Sequence, residues 1–83
     1  MNAVEALARR LPGDADRIRQ RFWRDREFRS LCDDFRDAAE AQARFATCDP
    51  ARADEYGQLA AELLAEAVAL LRGNDDVNRQ AED

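Results

Sequence analysis

Proline and glycine, the residues that most often interrupt a helix, are scarce in this chain of 83 residues, which has two Pro and three Gly. Pro12-Gly13 and Asp49-Pro50 divide the sequence into three segments. In each segment the apolar residues recur every three or four positions, the spacing of a helix with one buried face. The pattern predicts an all-α fold with helices at about 2–11, 15–47 and 50–72.

The link between the second and third helices is short, because Asp49 is predicted to cap the third helix and Pro50 to begin it. Such a link makes the two helices antiparallel neighbours. We therefore expect a helical hairpin with the short N-terminal helix packed against it. Gly73 fits the position just after a helix end, which predicts one domain over residues 1–73 and a polar, frayed tail over 74–83.

Trp23 does not fit the apolar face of the second helix. On one continuous helix it would point about 140° away from Phe28. Either the helix kinks or restarts at 24–26 with Asp25 as its N-cap, or it is continuous and Trp23 packs against something else. Asp14 or Asp16 is predicted to cap the start of this helix by accepting a backbone N–H bond.

The basic and nucleophilic residues argue against an enzyme. All 13 basic residues are Arg, and the sequence contains no His. Without His the commonest general base and most mixed metal sites are missing, and without Lys a Schiff base or a P-loop cannot form. We expect no catalytic residue, no cofactor and no metal ligand, and we interpret the protein as non-enzymatic.

The two cysteines and the acidic pairs have structural explanations. Cys32 lies on the apolar face and is predicted to be a small core residue, whereas Cys48 lies in the hairpin turn and is predicted to be exposed. Sixteen helical residues would separate them by about 24 Å, too far for a disulfide. Asp33 and Asp37 share the face opposite the apolar one, which predicts a solvated surface rather than a cation site.

The net charge of −5 is unevenly distributed, with +2 over residues 1–36 and −7 over residues 37–83. Arg and acidic residues alternate in the first part, so no clean basic stripe forms and a nucleic-acid partner is disfavoured. The alternative function is nucleic-acid binding or regulation through Arg17, Arg21, Arg24 and Trp23. No stretch approaches the ~20 apolar residues of a membrane span, and the N-terminus lacks the order of a signal peptide. We expect a cytoplasmic protein with reduced thiols.

The apolar arc of the third helix is wide. With Tyr56 at its centre, Leu64, Val68 and Leu71 extend the arc to nearly 180°, more than one hairpin seam needs. A second copy is the common way to cover such a flank. The preferred function is therefore a protein–protein interaction module, as a homodimer or with another helical protein, whose interface includes Leu64, Val68, Leu71 and Trp23. The alternative is a monomer whose N-terminal helix closes the core. Phe35 and Leu63 are predicted to lie at the core centre.

The segment "DREFRSLCDDFRDA", the turn "CDPARADEY" and the Leu-rich last helix resemble the small bacterial helical-hairpin proteins of the YdcH-like type. Their Asp-x-x-Phe-x-x-Leu pattern, followed by an aromatic residue, matches Asp25, Phe28, Leu31 and Phe35. The resemblance covers about residues 18–72. It implies a small bacterial protein with this hairpin fold, and it transfers no activity because none is established for the family.

Overall fold

In the computed structural model, which describes the backbone of residues 2–82 and the side chains of residues 2–72, the chain forms four α-helices and one 3-10 turn. The helices are α1 (Ala3–Arg10), α2 (Ala15–Arg24), α3 (Arg26–Phe45) and α4 (Pro50–Glu82), and Pro12–Asp14 forms the 3-10 turn. No strand occurs over this range, which confirms the predicted all-α fold. The molecule is elongated, with extents of 51 × 23 × 22 Å.

The short N-terminal helix is confirmed. Asn2 caps α1, because its Oδ1 accepts a hydrogen bond of 2.7 Å from the backbone N–H of Glu5. The helix buries Ala3, Ala6 and Leu7, and it packs against both α2 and α3. The N-terminal helix therefore contributes to the core of a single chain, as the monomer alternative requires.

The predicted cap of α2 is wrong. Asp14 occupies the N-cap position, but its side chain makes no capping hydrogen bond, and Asp16 lies within the first turn. The reason is the 3-10 turn that precedes the helix. This turn holds Asp14 at a ψ of 14°, whereas a capping residue needs extended backbone for its side chain to reach the free N–H groups. The carboxylate of Asp14 lies instead 3.9 Å from Arg17.

The restart at residues 24–26 is confirmed. Asp25 has extended backbone, with φ −126° and ψ 108°, and its Oδ1 accepts a 3.2 Å hydrogen bond from the N–H of Phe28. That N–H would bond to the carbonyl of Arg24 in a continuous helix. The break therefore turns α1 and α2 back over one end of α3.

The second helix of the hairpin, α4, begins where the sequence predicts. Asp49 caps α4 by accepting a 3.2 Å hydrogen bond from the N–H of Arg52, and Pro50 is the first helical residue. The helix then runs past Gly73, where the sequence predicted its end, to Glu82. Glycine is a weak stop signal, because it costs a helix interior only about 1 kcal/mol relative to Ala. The side chains of the tail that was predicted to fray lie outside the described residues, and Asp83 lies outside them entirely.

The core lies around α3, which packs along α4 and against α1 and α2. Its largest fully buried side chains are Leu7, Ile18, Phe28, Cys32 and Phe35. The prediction that Cys32 and Phe35 are core residues is thus confirmed. Leu63 is only half-buried and packs at the core's edge, so its predicted central place is wrong.

The buried face of α4 differs from the predicted one. It is formed by Ala53, Ala60, Ala67 and Leu71, all at most 8% exposed. This face is centred about 40° around the helix from Tyr56. Alanines spaced by seven residues lie on one side of a helix, and their small side chains allow α3 to approach closely. The rotation buries Leu71, which the sequence placed on an open flank.

Candidate interaction surfaces

Trp23 is the most exposed large apolar side chain among the described residues, with 71% of its surface open. It is the last residue but one of α2. The neighbouring Phe22 ring meets the indole edge-to-face, with 5.4 Å between the ring centroids and 87° between the planes. Phe22 is itself half-buried against the core. The indole is therefore held from one side while its other faces remain in water.

A groove of about 550 Å³ runs between α1 and α2 beside this indole. Val4, Ala8 and Phe22 supply its apolar lining, and Glu5 and Arg19 lie at its polar edges. We call Trp23, this groove and the exposed side chains of Arg19 and Arg24 the Trp23 surface.

The charge of the Trp23 surface is basic. Arg24 and Arg26 are exposed, and neither forms an ion pair with another described residue. Arg19 pairs with Asp16 at 3.2 Å, and both side chains are mostly exposed, so solvent screens this pair strongly. Arg24, which follows Trp23 in the chain, and Arg19, whose ion pair solvent screens, therefore give the Trp23 surface its positive charge.

Arg21, which the nucleic-acid alternative includes, has a structural role instead. Its side chain is 14% exposed and lies 3.1 Å from the Asp25 carboxylate. It also donates a 3.1 Å hydrogen bond to the backbone carbonyl of Leu70 in α4, and it lies over the Phe28 ring at 5.7 Å. Arg21 therefore joins the α2–α3 junction to α4. The N–H of Phe28, helped by Arg21, lowers the pKa of Asp25 against the opposing effect of burial.

A second surface follows the seam between α3 and α4. Leu59 is the other exposed large apolar residue of the described chain, at 44%. It lies in a hollow of about 350 Å³ together with Tyr56 and Leu63. Two carboxylates, from Asp34 and Asp37, stand on the α3 side of this hollow. We call this hollow the Leu59 groove.

The Leu59 groove continues toward the Trp23 end of α3 as a smaller hollow of about 240 Å³. The two hollows share Asp34 and Leu63, and the smaller one adds the carboxylates of Glu27 and Glu66. None of the residues that line the two hollows in the described chain is basic. The seam is thus an apolar floor with an acidic rim.

The predicted interface residues differ in their exposure. Trp23 lies on α2 and is open, whereas Leu64 and Val68 on α4 are half-buried and Leu71 is 8% exposed. Because Leu71 packs within the chain's own core, it offers little area to a partner. Sequence reasoning placed Leu59 on the arc of α4 that covers a neighbouring helix, within about 60° of Tyr56. The buried Ala53, Ala60 and Ala67 are centred about 100° away from it around the helix, so Leu59 is exposed instead.

The thiols and the acidic pair behave as the sequence predicted. Burial, with a smaller effect of Asp33, raises the pKa of the Cys32 thiol to about 12, so this thiol stays protonated and inert. Cys48 is exposed in the turn, and neither thiol is in a disulfide. Asp37 is exposed and its carboxylate lies 3.1 Å from Arg36. Over the described side chains, no three His, Cys, Asp or Glu residues cluster as metal ligands would.

Within the described part of the chain, no helix combines the length and the apolar character that crossing a bilayer requires. Comparison with protein-family models, with curated proteins and with solved structures finds no match to this chain.

Proposed function

We propose that this protein is a small, non-enzymatic helical module for protein–protein interaction, and that it associates with further copies of itself through the Trp23 surface. The observation that supports this proposal is the 71% exposure of Trp23, whose ring contacts Phe22 edge-to-face on one side. A Trp side chain buries about 150–250 Å² when a partner covers it, and Trp is among the residues that contribute most to binding energy. We expect the module to act in the cytoplasm.

Preorganisation makes the surface suitable for binding. The contact with Phe22 already limits the indole on one side, so less side-chain entropy is lost when a partner covers it. Arg19 and Arg24 are exposed at the rim of this surface, where charges affect the rate and specificity of encounter more than the affinity.

Sedimentation equilibrium of the wild type, Trp23→Ala and the control Gln20→Ala tests the proposal. Gln20 is an exposed residue of the same helix. We expect the wild type and the control to associate with rising concentration, and Trp23→Ala to weaken association by about 30-fold or more, the effect of removing a binding hot spot. A wild type that stays monomeric at high micromolar concentration contradicts the proposal.

The flank formed by Leu64 and Val68 is the competing surface for a two-fold dimer. Both residues are half-buried, so this flank offers less area than the indole. Val68→Glu introduces a charge there, and we expect it to leave association unchanged. If Val68→Glu abolishes association and Trp23→Ala does not, the interface lies on α4.

The second candidate function is single-strand nucleic-acid binding, and one observation favours it: an exposed indole beside the exposed Arg24 is what base stacking requires. The engagement of Arg21 with Asp25 and Leu70 weighs against it, because it removes one of the predicted phosphate contacts. A gel shift at increasing salt separates the two functions, since phosphate binding weakens steeply with salt.

A further inference from the structure

The two most exposed apolar side chains of the described residues lie on surfaces of opposite charge. Trp23 is flanked by Arg19 and Arg24, whereas Leu59 lies in a groove whose rim carries carboxylates. Each surface therefore has an apolar centre and a charged rim, and the two rims are complementary.

The charge difference extends over both parts of the molecule. Residues 2–26, which form α1 and α2, contain seven Arg and four acidic residues, a net charge of +3. Residues 27–72, which form almost all of the described α3–α4 hairpin, contain five Arg and ten acidic residues, a net charge of −5. A second copy that approaches with its α1–α2 end toward the hairpin is thus attracted over a distance comparable to the Debye length, about 8–10 Å at physiological salt.

The Leu59 groove has room for a large side chain. Its hollow of about 350 Å³ reaches the lower size of pockets that hold small molecules, about 300 Å³. Its floor is formed by Ala38 and Ala41 of α3, with Leu63 of α4 beside them. Alanine on the floor leaves depth for an incoming ring, and Tyr56 at one end offers an aromatic neighbour.

A chain cannot insert its own indole into its own groove. Trp23 stands near the start of α3, and the floor residues Ala38 and Ala41 follow Arg26 by 12 and 15 positions, or about 18–22 Å along the helix. Phe22 and the α2–α3 junction hold the indole in place. Any contact between the two surfaces therefore joins different copies.

We propose that Trp23 of one copy docks into the Leu59 groove of a second copy, with Arg24 facing the carboxylate of Asp34, since the carboxylate of Asp37 already pairs with Arg36 at 3.1 Å. The inference rests on the proposed function, and it specifies the occupant of each surface. We place the two surfaces of one copy against two different neighbours, which makes the contact heterologous: every added copy leaves one indole and one groove free, whereas a reciprocal two-fold dimer would leave none. Association then proceeds head to tail and does not stop at a two-fold dimer.

Two single variants and their mixture test the docking. Trp23→Ala lacks the indole but keeps the groove, and Leu59→Lys keeps the indole but places a cation in the groove, where it repels Arg24. Trp23 is 71% and Leu59 44% exposed, so both variants should fold, which circular dichroism and thermal unfolding check. Gln58→Lys introduces the same charge change at an adjacent exposed position and serves as the control.

We expect each of the two variants to be monomeric alone, and their equimolar mixture to form a complex of two chains and no more. The chain contains one Trp, so in the mixture only Leu59→Lys fluoresces at tryptophan wavelengths. Its emission should shift to the blue when Trp23→Ala is added, and not when a second portion of Leu59→Lys is added. The wild type and Gln58→Lys should form species larger than dimers, with affinity that falls as salt rises.

A mixture that stays monomeric, while the wild type associates, overturns the docking but leaves the proposed self-association intact. A wild type that stops at two copies contradicts the head-to-tail arrangement. If the wild type is monomeric at all concentrations, the proposed function itself fails, because there is then no association for the mixture of variants to restore.

Discussion

Truncating Phe35 to alanine removes the side chain at the middle of the core. Phe35 is 1% exposed and belongs to the cluster that joins α1, α3 and α4. Replacement of a buried Phe by Ala costs about 3–5 kcal/mol, from lost transfer energy and from the cavity that remains. A chain of 83 residues has a free energy of unfolding of about 4–12 kcal/mol. The variant should therefore lose a large part of its stability.

The same substitution at Phe45 is the matched control. Phe45 is half-buried near the hairpin turn and stacks on Tyr56 with 5.8 Å between the ring centroids. Phe45→Ala should cost only about 1–2 kcal/mol, from partial burial and the lost ring pair. Urea unfolding followed by circular dichroism measures both variants. In thermal unfolding, Phe35→Ala should lower the Tm by at least about 12 °C. If Phe35→Ala costs no more than Phe45→Ala, the assignment of the core is wrong.

Three further predictions follow from single sites. Gly57→Ala should raise the free energy of unfolding by about 0.5–1 kcal/mol in urea titrations, because alanine has the higher helix propensity. The new Cβ meets only the end of the flexible Gln42 side chain, 2.8 Å from Nε2. A loss of stability would mean that the Gln42 side chain cannot move away. Asp25→Asn should be less stable than the wild type at neutral pH, and this difference should shrink in acid. The pKa of the Asp25 carboxyl is lowered from 3.8 in the folded state. The stabilisation that the ionised carboxylate provides is therefore present above pH 3.8 and is lost as the pH falls through the folded-state pKa. A stability difference between the two proteins that stays constant throughout the acid titration would contradict this. A thiol reagent should modify Cys48 in the native protein and Cys32 only after unfolding, since Cys32 is fully buried; two equally fast thiols would place Cys32 outside the core.

The starts of α3 and α4 were predictable because their signals are local. Asp25 and Asp49 each accept a hydrogen bond from an N–H three residues later, so the residue type and its immediate context decide the cap. Asp14 has the same side chain but follows a 3-10 turn that already fixes its backbone. Its failure as a cap depends on how Pro12-Gly13 folds, and residue type alone does not determine that.

The side of α4 that is buried against the rest of the chain was not predictable in the same way. Counting large apolar residues centres the buried face near Tyr56, because Leu59, Leu63 and Leu70 have the greatest apolar area. The structure buries Ala60 and Ala67 instead, on the helix that packs along α3, and leaves Leu59 exposed. Small side chains let two helices approach closely, so the buried face depends on the shape of the partner helix as well as on apolar area.

Exposure of Trp23 has its cause in the break at Asp25. Without the break, α2 would continue the line of α3 and would carry α1 away from the core. With the break in place, the apolar face of α3 begins at Phe28. The Arg21 guanidinium donates hydrogen bonds to the Asp25 carboxylate and to the backbone carbonyl of Leu70 in α4. The last turn of α2 is then held by Arg21 and Phe22 on its inner side, so Trp23, about 100° further round the helix, points to solvent. The same junction that closes the fold therefore presents the indole, and the surface proposed for binding persists only while the junction is intact.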